Sequence, residues 1–267
     1  LRDVTGTVPA IPLIASSIMS KKLAAGSDAI LLDVKFGDGA FMKDVDQARE
    51  LAKAMISIGK HANKNTMAIL SDMNQPLGFA IGNALEVKEA IATLKGEGPE
   101  DLTNLCIEAA SLMLVQANHF NHISDAKIAV QRAISDGRAL EKFKIFIESQ
   151  GGDVAYIDDV SLLPQSKHIT PFTAASTGYV KTIEAMPLGL AATLLGAGRL
   201  TKEDVLKFGV GFVLKVKIGD KVSLDDVICE IHHDDPIPED VISKLKDAIV
   251  ISSTQVDAPV LIHEICE

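Results

Sequence analysis

Short apolar runs alternate with longer amphipathic segments in the first part of the sequence. Residues 29–34 form one short, largely apolar run, and residues 66–71 form a second. Between them, in residues 45–59, apolar side chains recur at steps of three and four, the spacing of one helix face. A strand, a helix and a strand in this order predict two parallel strands, buried on both faces and joined by a crossover. Ligands of such sheets bind at the carboxyl ends of the strands.

The remaining periodic segments extend this pattern into an α/β fold, mainly a parallel sheet flanked by helices. Helices are predicted at residues 11–25, 84–94, 128–134 and 139–147 and from residue 100 onward, and a short strand at 154–157. The pattern changes near residue 161, where predicted strands (178–183, 226–232, 260–265) and helices (187–197, 238–248) indicate a smaller α+β domain. Lysines alternate with valines in residues 209–222, so the lysines are predicted to point outward, and Gly219 and Asp220 to mark a hairpin turn.

The charge balance bears on possible partners. The chain has 26 basic and 36 acidic residues and a formal net charge of −10, which argues against nucleic acid and acidic membranes as partners. No apolar run approaches the length of a membrane span. The three cysteines are far apart and odd in number, which indicates reduced thiols in a cytoplasm.

A hydroxyl and an ammonium group lie four residues apart in the helix predicted at residues 11–25. Ser17 and Lys21 would emerge one turn apart on the same face, because each residue advances a helix by about 100°. Arg2 could bring its planar fork of donors to the same point. Together the three groups would suit a flat heterocycle edged with carbonyl oxygens. The same Ser-Lys spacing also occurs on solvated helix faces, and Arg2 could equally pair with Asp3.

A glycine-spaced turn follows the first predicted strand. Gly37 and Gly39 permit positive φ angles or a close backbone approach, which would allow a phosphate or a ribose to bind nearby. The third glycine of a dinucleotide-binding fingerprint is missing, and no acidic residue is clearly placed to bind a ribose. These two absences argue against a nicotinamide site.

Several stretches resemble the pyrimidine-nucleoside phosphorylase and thymidine phosphorylase family. They occur in the family's order along the whole chain, at residues 1–5, 14–23, 33–42, 71–87 and 150–153. In this family an Arg, a Ser and a Lys hold the pyrimidine base, and these fall on Arg2, Ser17 and Lys21. The resemblance implies a glycosyltransferase that performs reversible phosphorolysis of uridine, thymidine or deoxyuridine. Phosphate is the implied co-substrate, and the products are a free pyrimidine base and a (deoxy)ribose 1-phosphate.

The resemblance also implies how the chain is divided. Residues 1–25 correspond to a remnant of a helical domain, 26–165 to an α/β domain and 166–267 to a C-terminal α+β domain. The family's phosphate-binding residues and catalytic histidine precede the segment of Arg2, so no catalytic residue is assigned here. We expect a C-terminal fragment that is inactive or nearly so alone, and a full-length protein that is a cytoplasmic homodimer of pyrimidine salvage.

The resemblance further implies a potassium ion as cofactor. Bacterial members of the family hold it with backbone carbonyls and one glutamate, and the matching positions are Leu77, Ala80 and Glu89. A hard monovalent ion prefers oxygen ligands, and a loop rich in turn residues can present several carbonyls together. Glu86 lies one helical turn before Glu89, so the assignment could shift to it. Glu89 could also be a solvated helix residue.

Three further functions are compatible with parts of this pattern. One is a phosphorylase specific for thymidine. Another is a phosphoribosyltransferase of the anthranilate type, which shares the fold but would need a pyrophosphate-binding glycine loop and paired metal-binding acids, neither of which is found. The last is a partner domain without catalytic activity.

Overall fold

The predicted α/β fold is present in the computed structural model, which describes residues 10–267. The helices are α1 (Ile11–Ala24), α2 (Val45–His61), α3 (Asn83–Leu94), α4 (Glu100–Gln116), α5 (Ile123–Ser135), α6 (Arg138–Ser149), α7 (Ala155–Asp158), α8 (Ala185–Leu195) and α9 (Glu239–Ala248). The strands are β1 (Ala29–Phe36), β2 (Asn65–Asp72), β3 (Ala80–Ile81), β4 (His168–Thr173), β5 (Gly178–Ile183), β6 (Gly211–Leu214), β7 (Lys221–Val222), β8 (Val227–His233), β9 (Ile249–Ser252) and β10 (Ile262–Cys266).

The chain divides into two compact units, each assembled from separate stretches of sequence. Unit 1 takes the described residues up to Asn74 together with 104–131 and 260–267. Unit 2 takes residues 75–103 and 132–259. The division falls within α4 and α5, so neither unit is a continuous piece of the chain.

Unit 1 contains a three-stranded sheet in the order β1-β2-β10. The first two strands are parallel, as the sequence pattern predicts, with Ala29 opposite Asn65 and Phe36 opposite Asp72. The third strand, β10, runs antiparallel to β2. Residues 260–265 were predicted to be a strand of the smaller C-terminal domain, and this assignment is wrong. The pairing of β10 with a strand almost two hundred residues earlier leaves no local signal in the sequence.

Helices α1 and α2 cover one face of this sheet. The Asp44 side chain caps α2 by accepting a hydrogen bond from the Gln47 amide at 2.9 Å, which satisfies one free N–H group of the first turn. Buried side chains of both helices join those of the strands in a core that is aliphatic apart from Phe36. The main helical contributions come from Ile14, Ala15, Met19, Ala48, Leu51, Ala52, Met55 and Ile56.

The burial of β1 differs from the expectation. Its side chains alternate along the strand, with Leu32 and Val34 buried and Asp33 exposed between them. The expectation of a strand buried on both faces is therefore wrong for β1. The second face carries Asp33 and Lys35, which are charged and need water or partners.

Unit 2 contains a four-stranded sheet in the order β3-β6-β8-β4 and a three-stranded sheet in the order β7-β5-β9. All of their pairings are antiparallel. Helices α8 and α9 pack against each other, and Leu188 and Leu245 from these helices are fully buried in the same core as Phe212 of β6. This arrangement agrees with the predicted mixture of strands and helices in the C-terminal part.

Two local predictions fail in unit 2. Residues 154–157 were predicted to be a strand, but the helical turn α7 begins at Ala155. The Asp153 side chain accepts a hydrogen bond from the Ala155 amide at 2.9 Å, which favours a turn here. The turn at Gly219, with φ of 99°, does not close a hairpin. It connects β6 to β7, and β7 pairs with β5 in the other sheet.

No helix within residues 10–267 combines the length and the apolar composition needed to cross a membrane.

We predict that two glycine-to-alanine substitutions in helices have opposite effects on stability. In α2, a Cβ at Gly59 would lie 2.0 Å from Thr66 Oγ1, so Gly59→Ala should lower the free energy of unfolding by about 1–3 kcal/mol through overpacking. In α8, a Cβ at Gly189 meets no atom within 4 Å, so Gly189→Ala should raise it by roughly 0.5–1 kcal/mol. Urea unfolding of both variants measures the difference. Equal effects would contradict the close approach of α2 to β2.

Candidate functional site

Helix α1 presents Ser17 and Lys21 away from its packed face. The predicted helix is confirmed to within one residue, with Pro12 in its first turn. Ile14 and Met19 are buried in the core of unit 1, whereas Ser17 is half-buried and Lys21 is exposed. Within the described part of the chain, no acidic side chain forms an ion pair with Lys21. The hydroxyl and the ammonium group are therefore accessible on this helix.

Arg2 lies outside the described residues. Its convergence with Ser17 and Lys21 on one ligand therefore remains a prediction.

Asp33, Lys35 and Ser71 bind one another in a polar cluster near the carboxyl ends of β1 and β2. Lys35 Nζ lies 2.8 Å from Asp33 Oδ2 and donates a hydrogen bond to Ser71 Oγ at 2.9 Å. The Ser71 hydroxyl, which is fully buried, donates in turn to Asp33 Oδ1. The parallel register creates this cluster because it sets Lys35 opposite Ser71. An ammonium group has three N–H donors, so one remains for an oxygen atom of a ligand.

The prediction from sequence did not identify this cluster. A signal was present, since Asp33 and Lys35 are two residues apart and must share one face of a strand. The partner Ser71 could be found only from the register of β1 against β2.

The glycine turn after β1 is fixed by β2 and the residues that follow it. Gly37 has φ of 113°, and a Cβ there would lie 2.8 Å from Asn74, so both the angle and the space require glycine. Asn74 Oδ1 accepts a hydrogen bond from the Asp38 amide at 3.1 Å. Asn74 also donates through its amide and side chain to the buried carboxylate of Asp72, at 3.0 and 2.6 Å. The turn therefore has a defined shape at the ligand-binding edge of the parallel strands.

In unit 2, the loop of residues 75–80 is held by Glu89 of α3. Glu89 Oε1 accepts hydrogen bonds from the amides of Phe79 and Ala80 at 2.8 and 3.0 Å. Burial raises the pKa of this carboxyl group, while the two amides and the charge of Lys217 act in the opposite direction. Glu86 instead accepts a hydrogen bond from the Gly82 amide at 3.0 Å. Of these two glutamates, Glu89 is therefore the one that contacts the loop around Leu77 and Ala80.

Lys217 holds the other side of the same loop. Its ammonium group donates to the carbonyl oxygens of Pro76, at 2.7 Å, and Gly78. It also forms an ion pair with Asp101 Oδ2 at 2.7 Å, and Asp101 accepts a hydrogen bond from the Gly78 amide at 3.2 Å. The alternating pattern predicted an outward-facing Lys217, but only 17% of its side chain is exposed, so this prediction is wrong. Strand β6 ends at Leu214, and the alternation of a strand does not apply beyond it.

The donor set around this loop fits a monovalent cation. Glu89 Oε2 accepts no hydrogen bond within residues 10–267, and the carbonyl groups of the loop are further hard oxygen donors. Glu89 and Asp101 carry two negative charges and Lys217 one positive charge, so one more monovalent cation would neutralise the group. No cluster of three or more His, Cys, Asp or Glu side chains suited to a metal ion occurs among the described residues.

Comparison with known proteins gives consistent results over the whole chain. The family model "Glycosyl transferase family, a/b domain" matches residues 1–140, and "Pyrimidine nucleoside phosphorylase C-terminal domain" matches residues 179–252. Pyrimidine-nucleoside phosphorylase from Geobacillus stearothermophilus is 53% identical over 264 residues. The proteins of that name from Staphylococcus haemolyticus (strain JCSC1435) and Staphylococcus aureus (strain USA300) are each 54% identical over 265 residues. Each alignment covers 99% of this chain, which spans 61% of the length of these curated relatives.

We predict that Ser71→Ala destabilises unit 1. The substitution removes the hydroxyl that bridges Lys35 and Asp33 and should lower the free energy of unfolding by about 1–2 kcal/mol. Ser57→Ala, on the exposed face of α2, is the matched control and should change the free energy of unfolding by less than about 0.5 kcal/mol. Chemical denaturation measures both variants. A Ser71→Ala variant as stable as the control would contradict the bridging role of the hydroxyl.

Proposed function

Because the chain belongs to the pyrimidine-nucleoside phosphorylase family of glycosyl transferases, we propose that it is part of an enzyme for reversible phosphorolysis of pyrimidine nucleosides. The observation that carries this proposal is the identity of 53–54% along 99% of the chain. The accessible pair Ser17 and Lys21 on one helix supports it. Uridine, thymidine and deoxyuridine are the proposed substrates.

The proposed reaction replaces one bond at the anomeric carbon of the sugar by another. The bond from this carbon to the base nitrogen breaks, the electron pair leaves with the base, and an oxygen of phosphate forms the new bond. Negative charge accumulates on the departing base in the transition state. Donors at its carbonyl oxygens therefore stabilise the transition state more than the ground state.

We propose that Arg2, Ser17 and Lys21 supply these donors. Lys21 and Arg2 contribute positive charge, which strengthens hydrogen bonds to a base that is becoming anionic. Ser17 contributes a hydroxyl that both donates and accepts. The position of Ser17 and Lys21 on one face of α1, away from the packed side chains, supports a shared ligand.

We also propose that the loop of residues 75–80 binds potassium through Leu77, Ala80 and Glu89. Two observations support this site, namely the Glu89 oxygen without a hydrogen bond and the surplus negative charge of the group. Potassium would supply positive charge that holds carbonyl oxygens of the loop together. The chain's own contribution is Glu89, whose other oxygen fixes the amides of Phe79 and Ala80.

We further propose that the enzyme works in the cytoplasm as a homodimer. The three cysteines are free thiols, of which Cys229 and Cys266 are buried, as is typical of a reducing compartment. The homodimer rests on the family resemblance alone.

We predict that the chain binds uracil and that Lys21→Ala weakens this binding. Loss of one charged hydrogen bond costs about 2 kcal/mol, which corresponds to an affinity lower by roughly 30-fold. Isothermal titration calorimetry with uracil and with thymine measures it. Lys22→Ala is the matched control, because Lys22 is also exposed on α1 but lies about 100° further round the helix.

Other outcomes of this titration distinguish the alternatives. Binding of thymine but not of uracil would favour a thymidine-specific enzyme. Binding that is lost equally in the Lys21 and Lys22 variants would contradict the assigned face of α1. No binding of either base would favour a domain without catalytic activity.

We predict a potassium-specific gain in stability that depends on Glu89. If potassium chloride is present at about ten times its dissociation constant, the gain is about 1.4 kcal/mol, or roughly 2–6 °C in melting temperature. Thermal unfolding in potassium chloride and in choline chloride of equal ionic strength measures the gain. Glu89→Gln should abolish it, and Glu86→Gln should retain it. Equal gains in both variants would contradict the role of Glu89.

A further inference from the structure

Three side chains from separate elements converge on the loop of residues 75–80 in unit 2. Glu89 belongs to α3, Asp101 to the first turn of α4, and Lys217 to the segment after β6. Together they bind three amides and two carbonyl groups of this loop. The backbone of the loop is therefore held mainly by charged side chains.

The ammonium group of Lys217 uses all of its donors in this arrangement. Its three N–H groups match three oxygen partners, which are the carbonyls of Pro76 and Gly78 and the carboxylate of Asp101. The nitrogen also lies 5.1 Å from the ring centroid of Phe79, within the range of a cation–π contact. This environment of oxygen atoms resembles the coordination of a monovalent metal ion.

Lys215, two residues earlier, shows what an ordinary surface lysine does in this segment. Its side chain is 39% exposed, and its ammonium group forms an ion pair with Glu230 at 2.8 Å. The side chain of Lys217 is 17% exposed, and that of its partner Asp101 is 25% exposed. Removing the charge from so enclosed a site leaves the Asp101 carboxylate without its counter-charge and takes a donor from two carbonyl oxygens, which is costly.

We propose that the ammonium group of Lys217 is a fixed internal cation that positions the carbonyl loop of residues 75–80. By holding the carbonyls of Pro76 and Gly78, it sets the shape of the segment that contains Leu77 and Ala80 beside Glu89. Lys217 is thus a positioning residue, and it occupies a cation position next to the potassium site proposed above. This inference does not depend on phosphorolysis and uses the potassium proposal only because both concern the same loop.

Cation rescue of Lys217→Met tests the inference. Methionine keeps much of the apolar stem but removes the charge, so the melting temperature in choline chloride should fall by roughly 5–10 °C. Potassium or ammonium chloride of equal ionic strength should restore part of this loss, because a free cation can take the place of the ammonium group. The restored part should exceed the gain of the unsubstituted chain by at least about 3 °C.

Lys215→Met is the matched control and should show neither the loss nor the additional rescue. The inference is overturned if Lys217→Met is as stable as this control, or if its response to potassium and ammonium equals that of the unsubstituted chain. If the proposed potassium site is wrong, potassium will not stabilise the unsubstituted chain more than it stabilises Glu89→Gln. The inference about Lys217 depends only on how the melting temperature of Lys217→Met differs from those of Lys215→Met and the unsubstituted chain.

Asp101→Asn provides a second test if Lys217→Met does not fold in any of these salts. Asparagine can still accept the hydrogen bond from the Gly78 amide but no longer neutralises Lys217. The uncompensated ammonium group should then exclude other cations, so the stability of Asp101→Asn should not rise with potassium or ammonium. If the stability of Asp101→Asn rises with potassium or with ammonium, the inference is overturned.

Discussion

The parallel pairing of β1 with β2 is the interaction on which the arrangement of unit 1 depends. Its register sets Lys35 opposite Ser71 and Phe36 opposite Asp72, and it brings the turn at Gly37 to the residues that follow β2. Side chains of a strand alternate between faces, so a shift by one residue would turn Lys35 towards the aliphatic core. The apolar side chains of α1 and α2 that cover the other face prevent this shift. Packing and polar geometry therefore specify the same register.

Unit 2 obtains a defined loop by a different physical means. Residues 75–80 have little regular secondary structure, so their amides and carbonyls need partners from elsewhere. Two carboxylates bind amides of the loop, and one ammonium group binds carbonyls. A loop held by charges keeps a fixed shape while its remaining oxygen atoms stay available to a ligand. Such an arrangement suits a binding site better than regular strand pairing, in which both backbone groups of most residues are used.

Elements with a local signal could be predicted from the sequence, and those that depend on distant pairing could not. The apolar spacing of residues 45–59 and the proline near the start of α1 identified helices whose cores and ends follow from nearby residues. The prediction of a hairpin at Gly219 was wrong, because each of the two flanking strands pairs with a strand that is distant in sequence. The role of Lys217 was missed for a similar reason, since the carbonyl groups that it binds lie about 140 residues earlier. Helix periodicity predicts that Ser17 and Lys21 share one face of α1. It does not predict where Arg2 lies relative to them, because that depends on tertiary structure.

The position of β10 has a consequence for how the molecule is made. Unit 1 cannot complete its sheet until residues 262–266 leave the ribosome, because these residues pair with a strand synthesised far earlier. The long intervening chain makes this closure entropically costly and slow compared with local contacts. Until these residues are available, one edge of β2 stays unpaired and open to wrong association. Nascent chains that stop before Ile262 therefore expose this edge of β2.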